Sequence, residues 1–233
     1  MTMGTVNTAA GAAREFTVGA VAVPTPRLSY LVTKRAIDLC VSIVMLLALV
    51  PLLAIVGLAV LADSGWPVLY RAPRVGRDRR IFKIVKFRSM VANADQSPHV
   101  ELVHRLLRGD GSTGDELFKL TSDSRVTRVG GFLRRTSLDE LPQLWNVLIG
   151  DMSLVGPRPE VTYSLDAYEP WMLRRFVATP GMTGLWQVSG RSRLGLRDML
   201  RLDVEYVQER SLLLDARIML LTVPAVFSTQ DCA

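Results

Sequence analysis

Residues 37–62 form one long apolar run with basic side chains on both sides. Lys34 and Arg35 precede it, and Arg71, Arg74, Arg77, Arg79, Arg80, Lys83, Lys86 and Arg88 follow. A bilayer is crossed by about 20 apolar residues, so the run has the length to do so. Positive charge, however, marks the cytoplasmic end of a membrane segment. With both flanks positive, a segment that enters and returns through one face fits better than one that crosses. Pro51 stands mid-run, where it removes a backbone donor and crowds the preceding turn, so a bend is predicted there. The expectation is a re-entrant, helix-break-helix membrane hairpin over residues 30–66, with all that follows at the cytoplasmic membrane surface.

The rest of the chain divides by composition. Residues 1–29 are rich in Ala, Gly, Thr and Val and lack the basic start and continuous apolar core of a secretory signal. They read as a flexible N-terminal tail. Residues 67–233 suffice for one domain of ordinary size. A formal charge of +6 suits anionic head groups, phosphorylated substrates or nucleic acid alike. Cys40 and Cys232 give no disulfide framework and no zinc spacing, consistent with a reducing compartment. His99 and His104 lack metal-ligand companions and read as a solvated helix face. Residues 81–88 are too short to settle helix or strand. Residues 95–114 combine a short helical pattern at Leu102, Leu106 and Leu107 with a turn-rich stretch, and read as a surface excursion. Residues 211–227 are apolar but interrupted by Asp215, Arg217 and Pro224, predicting a helix on the membrane surface or on the domain. Trp66 suits a membrane interface; Trp145, Trp171 and Trp186 read as packing residues.

Chemistry concentrates between Arg134 and Arg191. Ser137-Leu138-Asp139-Glu140 matches a Ser-x-x-Glu capping box, in which Glu140 simply closes a helix start. The same geometry supports a sharper reading. A first-turn carboxylate faces the positive end of the helix dipole and stays ionised, available as nucleophile or metal ligand, with Arg134 and Arg135 reinforcing this. Pro142 shifts the helix start by a residue or two. Neighbouring carboxylates point in different directions, so one nucleophile with one supporting group suits them better than a glycosidase pair. Arg158 is held between Pro157 and Pro159, either as a rigid fork for phosphate oxygens or as the ion pair of a Pro-rich turn. Gly181, Gly184 and Gly190, with Arg191 and Arg193, allow close backbone approach to an anion. Neither a P-loop nor a dinucleotide fingerprint is present. Lys86 and Arg88 join this basic set if the fold brings them together; otherwise they form a lipid-facing basic patch.

The segments KRAIDL, KFRSM, TSLDELPQLWNVLIGDMSLVGPRP and PGMTGLWQVSGRS resemble the bacterial sugar transferases, the monotopic polyprenyl-phosphate hexose-1-phosphate (phosphoglycosyl) transferases. The resemblance runs from about Lys34 to the last helix and is closest to the short form of the family, without a preceding membrane module. It implies a mainly α fold with little β: the re-entrant hairpin plus a compact cytoplasmic catalytic domain with interfacial amphipathic helices. It implies transfer of sugar-1-phosphate from a UDP-sugar to polyprenyl (undecaprenyl) phosphate at the inner membrane, releasing UMP. Asp139 would be the nucleophile, with Glu140 beside it and Mg²⁺ at Asp139. Lys86, Arg134, Arg158 and Arg191 would line the phosphate site. Lys34 and Arg35 would anchor to head groups, and Pro51 would break the helix. Val50 departs from the Ser often found before that proline, which leaves the bend angle open. The implied partners are the two substrates, the membrane, a second copy of the chain and downstream glycosyltransferases; nucleic acid is not among them. Two other readings stay open: a metal-dependent nucleotide-sugar hydrolase, and a non-catalytic module that binds anionic lipid.

Overall fold

The computed structural model describes residues 23–91, 97–108, 123, 125–190 and 194–227. Most of the expected tail, the turn-rich stretch after residue 108, and Arg191, Arg193 and Cys232 lie outside these. The architecture is mostly helical with a small sheet, as the sequence led one to expect.

The apolar run forms one helix, α1 (Leu28–Ser64), of 37 residues, and Pro51 lies inside it. At 1.5 Å per residue this is about 55 Å long. The expected helix-break-helix is therefore not what the chain adopts. A proline costs a helix one hydrogen bond and some crowding, and the turns on both sides of Pro51 pack against the domain. Asp38, Ser42, Val56 and Val60 are buried, and Val41, Leu46, Leu49, Leu52 and Leu53 pack between them against the domain core. These positions recur every three or four residues, which is one face of a helix. The opposite face exposes Ile43, Val44, Leu47, Val50, Ile55 and Leu58. So large an apolar surface marks a membrane or partner contact.

A hairpin follows, β1 (Leu69–Val75) against antiparallel β2 (Ile81–Phe87), which settles residues 81–87 as strand. α2 (Ser97–Arg108) buries Leu102, Val103, Leu106 and Leu107 against Met172, Leu196 and Leu200. His99 and His104 are half-buried rather than fully solvated, and bond to the Tyr163 hydroxyl and carbonyl at 2.5 and 2.7 Å. α3 (Arg128–Thr136) is capped by Thr127, whose Oγ1 accepts from the Gly130 amide at 3.0 Å. A 3₁₀ helix (Leu138–Gln143) leads into α4 (Leu144–Ile149), which Gly150 ends at φ 94°. Trp145 on α4 is exposed, not packed as expected. β3 (Ser153–Val155), β4 (Glu160–Val161), β5 (Gly181–Thr183), α5 (Leu185–Ser189), α6 (Leu196–Glu209) and α7 (Leu212–Phe227) complete the order. β4 adds to the edge of β1, giving β2-β1-β4, while β3 pairs in parallel with β5. α7 rests on the domain through buried Asp215 and Ile218 and exposes Leu213, Leu220 and Val223.

Polar ties fix α1 to this body at both ends. The Lys34 ammonium donates to Asp215 of α7 at 2.9 Å, and Asp215 also accepts from Tyr30 and Tyr206. Arg35 donates to the Val147 and Leu148 carbonyls at 2.6 and 2.8 Å, closing the end of α4. Asp38 accepts from the Leu154 amide at 2.9 Å. At the far end, buried Arg88 donates to Ser64 and to the Gly65 carbonyl. Lys34 and Arg35 are thus half-buried and engaged by the protein. Arg35→Ala, which leaves two helix-end carbonyls without their charged donor, is expected to cost about 2–4 kcal/mol, read by denaturant unfolding in detergent.

Candidate active site

The site rests on a short, irregular stretch of backbone. Ser137 adopts a left-handed conformation (φ 56°) that ends α3 and starts the 3₁₀ helix. Its side chain makes no cap, so the expected capping box is not formed. Pro142 lacks the amide that a regular helix would use, which suits the 3₁₀ turn before α4. The Glu140 amide donates to the Ser137 carbonyl at 3.1 Å, and its carboxylate is left to reach elsewhere.

Two cations meet it. Lys86 of β2 donates to Glu140 Oε1 at 2.7 Å, and Arg158, between its two prolines, donates to the same oxygen at 2.8 Å. β2 is held over α4 by Asn146, whose Oδ1 accepts from the Val85 amide at 3.0 Å and whose Nδ2 donates to the Lys83 carbonyl at 2.8 Å. Burial works against the Glu140 charge, but Arg158 and Lys86 outweigh it and hold the carboxyl well below the usual range. The Arg158 guanidinium is in turn raised by Glu140, whereas burial pulls the Lys86 ammonium down.

Asp139 is the contrast. It is 7 % exposed, and among the described residues no side chain or amide donates to its carboxylate. Burial pushes it up to about 6; Lys86 opposes this, Glu140 adds to it, and Arg134 and Arg158 oppose it. The sequence reading held that the helix end and Arg134 would keep such a carboxylate firmly ionised. Desolvation outweighs them here, so the Asp139 carboxylate is less stabilised than that of a free aspartate.

Of the other expected site residues, Arg134 is exposed on the last turn of α3, and its charge reaches Asp139. Arg88 is not in the site; it clamps the end of α1. Gly181 and Gly184 are small because the backbone of Gly156 passes against them, not because an anion must approach. Arg191 lies outside the described residues.

Sequence reasoning missed the group behind Arg158. Arg175, 3 % exposed, joins Glu160 at 2.7 Å and Asp203 at 2.6 Å and donates to the Arg158 carbonyl at 2.6 Å. Charged residues in otherwise apolar segments (RRF, LDVEY) were the available signal. No three His, Cys, Asp or Glu side chains gather among the described residues as a chelating cage would require. Mg²⁺ nonetheless suits the donor set, since it takes one or two carboxylates and leaves its remaining positions to water and substrate phosphate. Among the described residues Asp139 has no competing protein donor.

A helix-anchored domain thus carries a buried carboxylate–cation centre of the kind that handles phosphoryl groups. The chain belongs to the bacterial sugar transferase family, whose sequence model matches residues 29–229. It is 46% identical over 196 residues to the UDP-galactose-lipid carrier transferase of Erwinia amylovora, covering 83% of this chain and 40% of that one. To the undecaprenyl-phosphate galactose phosphotransferase of Salmonella typhimurium it is 44% identical over 196 residues, again 83% and 40%. To the UDP-glucose:undecaprenyl-phosphate glucose-1-phosphate transferase of Caulobacter vibrioides it is 39% identical over 217 residues, 89% of this chain and 74% of that one. The chain spans about two fifths of the length of the first two relatives.

The raised Asp139 carboxyl links to stability with a definite sign. A group that binds its proton more tightly when folded loses stability as pH rises from its unfolded value of 3.8 to about 6. Asp139→Asn, neutral throughout, is therefore expected to be more stable than the native chain above pH 6 by up to about 3 kcal/mol. The gap should close below pH 4, as unfolding curves across that range would report.

Proposed function

We propose that the chain transfers sugar-1-phosphate from a UDP-sugar to undecaprenyl phosphate, with UMP leaving, as the membrane step that opens a surface-glycan pathway. Family membership and the names of the relatives support the reaction class. The observation that carries the residue assignment is the divided pair: Glu140 neutralised by two cations, and Asp139 buried beside it with no donor among the described residues.

The chemistry follows from that division. An Asp139 oxygen attacks the phosphorus that bears the sugar; the bond from that phosphorus to the UMP oxygen breaks, and UMP departs with the electron pair. A polyprenyl phosphate oxygen then attacks the aspartyl phosphosugar, the bond to Asp139 breaks, and the carboxylate is restored. Both steps move a phosphoryl group between anions, so the cost lies in charge on oxygen. Lys86 and Arg158, held by Glu140, supply preorganised positive charge, and Arg134 adds to the field. Mg²⁺ at Asp139, when bound, would neutralise diphosphate oxygens of the donor.

The acceptor is confined to the bilayer and the donor to cytosol, so the site must lie at their boundary. Both ends of α1, and a stripe along it, are tied to the same domain. A helix so held keeps both of its ends with the domain, on one side of the bilayer, here assigned to the cytoplasmic face of the inner membrane. Its exposed face and the exposed leucines of α7 supply the apolar contact.

Asp139→Asn is expected to abolish UMP release and lipid-linked product while remaining in the membrane fraction. Arg158→Lys keeps the charge but loses the planar fork, and should lower kcat/KM for UDP-sugar by roughly 10- to 100-fold. UMP release that is unaffected by omitting polyprenyl phosphate, with soluble sugar phosphate as product, would identify a hydrolase instead.

A further inference from the structure

Arg158 is only as well placed as the loop that carries it. Residues 156–159 form a short connection between β3 and β4, and prolines on both sides restrict the backbone without saying where it points. Its direction is set from behind. All five N–H groups of the Arg175 guanidinium have acceptors. Nε donates to Asp203 Oδ2 at 3.1 Å. Nη2 donates to Asp203 Oδ2 and to the Arg158 carbonyl, both at 2.6 Å. Nη1 donates to Glu160 Oε2 at 2.7 Å and to the Tyr168 hydroxyl at 3.0 Å. Tyr168 in turn donates to Glu160 Oε2 at 2.7 Å, and Glu160 Oε1 accepts from the Val161 amide at 2.9 Å. One planar cation thus ties the Arg158 backbone to β4 and to α6.

Arg175, Glu160 and Asp203 are 3, 8 and 1 % exposed. A cluster of charges so buried is weak as a source of stability, because desolvation offsets most of the attraction. It is strong as a source of geometry, since each acceptor fixes a direction. The network ends on the carbonyl of the residue whose side chain reaches Glu140.

We propose that Arg175 is a positioning residue for donor binding: through the Arg158 carbonyl it holds the Arg158 guanidinium where the phosphates of the nucleotide-sugar must lie. This rests on the transferase reading above. Lys in its place has three donors and no planar fork, so it cannot serve Asp203, Glu160 and the carbonyl together.

The test is a double-mutant cycle between Arg175→Gln and Arg158→Lys, with steady-state kinetics on UDP-sugar at saturating polyprenyl phosphate. Arg175→Gln alone should raise KM for UDP-sugar by roughly 10-fold, and Arg175→Lys should not restore it. In the Arg158→Lys background the same change should cost less than about 2-fold, because the guanidinium to be placed is already gone. A merely structural role predicts otherwise: fewer active molecules, so a lower apparent kcat at unchanged KM, to the same extent in both backgrounds. That result, or full multiplicativity in kcat/KM, overturns the proposal. If Arg175→Gln does not fold, Tyr168→Phe loosens the same network by one hydroxyl and carries the cycle with the same criteria. An inactive native chain would instead refute the transferase reading, which separates the two failures.

Discussion

A single carboxylate oxygen, Glu140 Oε1, is shared by Lys86 and Arg158, and the arrangement of the site depends on it. Those cations come from a strand of the small sheet and from a proline-bound loop, two parts of the chain that share no local structure. Glu140 joins them and brings the 3₁₀ turn between. Without it, two positive groups would face each other in a partly buried site, where water screens their repulsion only in part. With it, they are held as a pre-set positive surface, and Asp139, one residue away, is spared any donor among the described residues. The two carboxylates of the dyad therefore do opposite work: one spends its charge on the protein, the other keeps its charge available.

The same logic extends outward. Asn146 fixes the strand that carries Lys86, and Arg175 fixes the loop that carries Arg158. Arg88, at the end of that strand, grips the last turn of α1. Short polar links thus connect the Glu140 centre to the long apolar helix. Such coupling suits the proposed reaction, in which one substrate comes from lipid and the other from water.

Much of this was legible in the sequence, and what was not has identifiable causes. The long apolar run, the Asp139-Glu140 pair and the rigidly held Arg158 all depend on local chemistry that a linear reading can see. The proline break in α1 was misjudged because Pro51 was weighed without the lengthwise packing on both of its sides. The protein partners of Lys34 and Arg35, Asp215 and the end of α4, lie more than a hundred residues away and are invisible to a linear reading. Arg88 was grouped with Lys86 by spacing, yet one turns to Glu140 and the other to α1. Gly181 and Gly184 looked like an anion cradle; only the fold reveals that Gly156 occupies the space beside them. The Asp139 environment was misjudged in sign, since helix end and arginines are visible in sequence but burial is not.

The central claim is that the Asp139 oxygen becomes bonded to the sugar-bearing phosphorus. Intact-protein mass measurement after brief exposure to UDP-sugar without polyprenyl phosphate tests it most directly. The account predicts a mass increase equal to one sugar phosphate, located on Asp139 by peptide fragmentation, absent from Asp139→Asn and discharged on adding polyprenyl phosphate. Full transfer to lipid by Asp139→Asn, or an adduct mapped to any other side chain, would contradict it.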